Sequence, residues 1–66
     1  MDNKEIYQEV TNHIAKGGKV MFVNHLQGII FDHKNASLLS LRGNDIYMTK
    51  GKKRTCLNFM GVRFSK

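Results

Sequence analysis

Proline is absent from this chain, and cysteine occurs once, at Cys56. A single thiol excludes any intramolecular disulfide and leaves no repeated-cysteine zinc pattern. Long apolar runs are missing as well: the longest, Val20–Val23 and Ile29–Phe31, fall far short of the roughly 20 residues of a membrane-spanning helix. No membrane association is expected. Met1 is followed by Asp2, Lys4 and Glu5 in place of a basic start and an apolar segment, so no secretory signal is read there and a cytoplasmic protein is expected.

Acidic residues are scarce, five against eleven Lys or Arg, for a net charge of +6. Their placement matters more than the total. The first ten residues hold Asp2, Glu5 and Glu9 against Lys4, a balance of −2, whereas residues 11–66 hold ten Lys or Arg against Asp32 and Asp45, a balance of +8. An acidic end on a basic body suits a polyanion-binding surface, and nucleic acid is the commonest cytoplasmic polyanion.

At 66 residues the chain makes a single domain, 1–66, and a domain this small buries only about 60% of the surface its unfolded chain exposes. With no disulfide or metal to add, association into a homodimer is the remaining support.

Asp2 and Glu5 stand three residues apart as in a capping box, and Ile6, Val10 and Ile14 follow at i, i+4 and i+8. Gly17 and Gly18 then close a predicted helix. From Lys19 the pattern becomes extended. Val20–Val23 predicts a strand covered on both faces, and Ile29–Phe31 a second strand after a bend at Gly28. Leu39 and Leu41 alternate with Ser40 and Arg42, Gly43-Asn44 fits a type II′ hairpin turn, and Ile46 and Met48 alternate with Tyr47 and Thr49. Residues 55–59 predict the return strand, and Gly61 a break before a short end carrying Val62 and Phe64. The expected fold class is α+β: an N-terminal helix followed by a four- to six-stranded antiparallel meander, either an open sheet or a small SH3-like barrel.

Lys50, Lys52, Lys53 and Arg54 crowd the tip between two strands, where Gly51 can take the positive φ of a tight reversal. Cations on such a hairpin reach phosphate oxygens without reading base edges, and Arg42, Arg63 and Lys66 are expected to extend the patch. The chain has four phenylalanines and two tyrosines. Phe22 and Phe31 are expected in the core together with at least one of Phe59 and Phe64. Tyr47, on the opposite parity to Ile46 and Met48, is the aromatic expected to stay exposed and able to stack on a base.

His13, His25 and His33 fall on a helix, a turn and a loop with no second ligand at i+3 or i+4, so no metal is expected. Cys56, in an apolar-rich stretch, is expected to be a buried, inert thiol. No paired carboxylates, phosphate-cradling glycine loop or serine triad can be assembled. Neither an enzyme nor a cofactor is expected.

Leu41–Ile46, LRGNDI, is similar to the second motif of Sm-like RNA-binding proteins, and Gly28–Asn35, GIIFDHKN, loosely resembles their first motif. The resemblance implies a helix followed by strands and an RNA-facing role for Arg42 and Asn44. The spacing departs from that family: the two motifs lie only a few residues apart, and residues 47–66 follow the second, which should nearly end the domain.

Two functions are carried forward. One is a small non-enzymatic nucleic-acid-binding or regulatory protein, DNA or RNA, that contacts backbone phosphate. The other is a phage- or mobile-element-type inhibitor or adaptor that docks on an acidic surface of a host protein.

Overall fold

Local chemistry sets both ends of the helix, α1 (Asn3–Ala15). In the computed structural model, which describes residues 2–66, the Asp2 carboxylate accepts a hydrogen bond from the Glu5 amide at 2.9 Å. At the other end Gly17 takes φ 92°, and the amides of Gly17 and Gly18 donate to the carbonyls of Ile14 and His13. That pair of bonds is a Schellman closure.

Gly18 is buried, and a Cβ built there would fall on the His13 imidazole. His13 lies beside β6, the strand Gly61–Ser65. The half-buried ring meets Phe64 edge-on at 5.1 Å, and its Nε2 is hydrogen-bonded with the Ser65 carbonyl. Gly18→Ala is therefore expected to lower stability by about 1–3 kcal/mol, read as a lower urea midpoint at unchanged m. An unchanged midpoint would show that the ring moves aside freely.

Six strands follow: β1 (Lys19–Val23), β2 (Gly28–Phe31), β3 (Leu39–Arg42), β4 (Asp45–Lys50), β5 (Lys53–Cys56) and β6 (Gly61–Ser65), with a short 3₁₀ turn at Ala36–Leu38. All pairings are antiparallel, in two three-stranded sheets of order β2-β1-β6 and β3-β4-β5. The α+β expectation holds at its upper strand count, and the two sheets enclose a single core. The strand order departs from a simple meander at the end. After β5 the chain crosses through Leu57–Met60, the Met60 amide bonds to the Val23 carbonyl at 2.7 Å, and β6 pairs with β1.

Both tight hairpins carry glycine at the first central position. Gly43 has φ 60° and Gly51 φ 65°, and among the described residues no non-glycine residue has positive φ, which is the type II′ signature. The intervals around β2 are shaped by side chains. Asn24 accepts from the Leu26 and Gln27 amides at 2.9 Å, and Asn35 links the Asp32 amide to the Ile30 carbonyl at 2.8 and 3.1 Å.

Val10 and Ile14 of α1 meet Val20, Phe22, Phe31, Leu39, Ile46 and Leu57 in the core. α1 contacts both β1 and β4 and so bridges the sheets. Phe22 is central: it packs edge-to-face on Phe31 at 5.6 Å and on Phe59 at 4.9 Å. Phe59 thus joins the core as expected, while Phe64 stays 44% exposed. The expectation that Val20–Val23 is covered on both faces is corrected: Val20 and Phe22 are buried, but Met21 and Val23 are only half-buried. α1 lies over the core side of β1, and no element covers the other face among the described residues.

Candidate nucleic-acid interface

The register of β3, β4 and β5 assigns every side chain of the second sheet to one of two faces. Leu39 pairs with Met48, Leu41 with Ile46, Met48 with Thr55 and Lys50 with Lys53 on the core side. Ser40 pairs with Tyr47, Arg42 with Asp45, Tyr47 with Cys56 and Thr49 with Arg54 on the outer side. The basic residues near the tip therefore separate into two sets.

Lys50 and Lys53 are both exposed and stand directly opposite one another at the last register step of the hairpin, with exposed Lys52 at the turn. Like charges directly opposite destabilise a strand pair. Stability alone gives no reason for this arrangement. The nearest acid on the same strand is Asp45, five residues along β4 and so about 17 Å from Lys50. The hairpin is polarised, with its cations concentrated at the free end.

On the outer face exposed Arg54 is paired with Thr49, which leaves its charge unanswered by its neighbour. Arg42 sits opposite Asp45, so its charge is partly offset. Of the two, Arg54 carries the less compensated charge. Tyr47 stands on the outer face of the central strand and is absent from the side chains packed against the core, but it is half-buried where exposure was expected. Its direct neighbours, Ser40 and Cys56, are small.

Cys56 corrects the sequence expectation: it is exposed, not buried. The predicted return strand began at Thr55, whereas β5 runs from Lys53 to Cys56 and puts Cys56 on the outer face; Leu57, the next residue, turns into the core. Gly61 likewise opens β6 instead of breaking a strand.

Arg63 and Lys66 do not share a sheet with the tip. Arg63 lies on β6, paired with Met21 on the outer face of the first sheet, and Lys66 follows the end of that strand. There Arg63 borders a shallow hollow of about 310 Å³ lined also by Met21 and Ile30, its neighbours on that face. Ile30 is 56% exposed, and elsewhere Leu26 and Met60 are 93% and 71% exposed. Sequence reading missed this hollow, because it depends on β6 returning to β1. It also missed the Lys50–Lys53 opposition, which the two-residue turn at Gly51-Lys52 would have revealed by counting outward. Asn44 is exposed in the turn between β3 and β4, at the end of β4 away from the lysines.

Among the described residues no three His, Cys, Asp or Glu side chains gather as a metal site, and no helix is long and apolar enough to cross a membrane. Comparison with known protein families, with characterised proteins and with solved structures finds no match for this chain.

Proposed function

We propose that this is a small non-enzymatic nucleic-acid-binding or regulatory protein that grips backbone phosphate with the tip of the β4–β5 hairpin. The observation that carries this reading is the opposed pair Lys50 and Lys53, flanked by Lys52 and Arg54, all exposed. A bound phosphate between opposed ammonium groups removes the repulsion that the free hairpin bears. Arg42 and Tyr47 on the same sheet add to the contact, with Arg63 and Lys66 serving longer ligands that reach the other sheet.

Binding through four cations is expected to weaken steeply with salt. Four neutralised phosphates, at a slope of about 0.9 each, give about a 150-fold loss on raising salt from about 50 to about 200 mM. Titration against labelled random DNA and RNA measures this. A slope near zero, or no binding at low salt, would remove the proposal.

A second reading rests on a separate observation. The exposed Ile30, with Met21 and Arg63 on the same face, gives the first sheet an apolar hollow with a cationic border. Such a surface suits the phage- or mobile-element-type inhibitor or adaptor, docking on an acidic region of a host protein with apolar side chains at its centre. The first reading centres on the β4–β5 tip and the second on Ile30 and Met21 of the other sheet, so mutation of either centre separates them.

A further inference from the structure

We infer that the nucleic acid held by the hairpin is single-stranded, with one base stacked on Tyr47 and the adjoining phosphates running past Arg54 to the lysine tip. This rests on the phosphate-binding reading above and names its ligand. Tyr47 stands half-buried on the outer face of the central strand, outside the core, and the residues directly beside it, Ser40 and Cys56, are small. Arg42 and Arg54 stand two residues from Tyr47's direct partners, one on each flanking strand and on the same face, so each lies diagonally from Tyr47 at about 7–8 Å.

Spacing along the hairpin suits a strand of nucleotides. Arg54 is two register steps from Tyr47 toward the tip on the same face, and Lys50 and Lys53 are one step further, on the other face at the exposed free end. Each step is about 3.4 Å along the sheet, so the cations lie within reach of successive phosphates of one strand whose first base rests on the ring. A duplex keeps its bases stacked on one another and offers no free π-face to Tyr47. Every unpaired base does, which makes the contact tolerant of sequence and open to DNA and RNA alike.

Three probes test this: random single-stranded DNA, random single-stranded RNA and random duplex DNA. The chain has two tyrosines and no tryptophan, so in a Tyr7→Phe background tyrosine emission comes from Tyr47 alone. The single strands are expected to bind more tightly than the duplex and to quench that emission. They are also expected to slow alkylation of exposed Cys56 in the unmodified chain, because the thiol adjoins the ring. Tyr47→Ala is expected to weaken single-strand binding by about 5- to 150-fold at unchanged salt slope, while Tyr47→Phe preserves it. Whichever single strand is held more tightly identifies DNA or RNA as the ligand.

Duplex binding as tight as single-strand binding, or Tyr47→Ala binding unchanged without Cys56 protection, would overturn the stacking inference and leave the phosphate reading intact. No binding to any of the three probes at low salt would overturn both.

Discussion

Replacing Lys52 and Lys53 together with glutamate is expected to abolish nucleic-acid binding and, in the same variant, to raise the stability of the fold. The two effects share an electrostatic origin. Both side chains are exposed, and the substitution takes the net charge from +6 to +2. Each lost charge-assisted phosphate contact is worth about 1.5–3 kcal/mol, so two together predict a loss of about a hundredfold or more, with the new carboxylates adding repulsion. The salt slope of any residual binding should fall by about 2.

Stability moves the other way because the substitution at position 53 places a carboxylate opposite Lys50, converting a repulsive cross-strand pair into an attractive one. That exchange is worth about 0.2–1 kcal/mol at most exposed sites. Urea unfolding and a binding titration on one sample measure both. Survival of binding would show that the tip is only a solvated turn. A fall in stability would show that Lys53 makes contacts the register does not indicate.

Phe22→Ala is expected to leave the chain unfolded at 25 °C. Phe22 is 2% exposed and holds edge-to-face contacts with Phe31 from β2 and Phe59 from the crossing segment. Truncating a buried phenylalanine costs about 3–5 kcal/mol, and a core in a domain of this size rarely supplies more than about 3–5 kcal/mol in total. The single substitution removes most or all of the stability. Circular dichroism should show no cooperative thermal transition, whereas Phe22→Leu, which keeps most of the volume, should remain folded with a lowered midpoint. A Phe22→Ala chain that still melts cooperatively near the original temperature would place the main stabilisation elsewhere, in association with a second copy for instance.

What could be read from the sequence is what neighbouring residues decide. Asp2, Gly17, Gly43 and Gly51 act within a few positions of themselves, and the helix and both type II′ hairpins lie where those residues direct. The face of Tyr47 was legible because alternation along one strand suffices, but its half-burial was not. Cys56 was misplaced because burial at a strand's end depends on where the strand stops, and the apolar-rich stretch after the tip does not mark that position. The division into two sheets was not legible either. It depends on β6 bypassing β5 to pair with β1, a choice made by core volume and by the Met60–Val23 bond. For the same reason Arg63 looked like a neighbour of the tip in the sequence but sits on the other sheet.

The pairing of β6 with β1 also bears on how the chain acquires its structure during synthesis. Lys19 lies opposite Ser65, and His13 in the helix bonds to the same Ser65, 52 positions further along the chain, so α1 and β1 are completed by a strand made much later than they are. The β3–β4–β5 hairpins can form as they emerge from the ribosome, since each contact spans only a few residues. The first sheet cannot, because β1 leaves the exit tunnel with one edge waiting for a strand not yet translated. Folding is delayed until synthesis has passed Ser65, and in that interval the apolar side of β1 is available to chaperones and to other nascent chains.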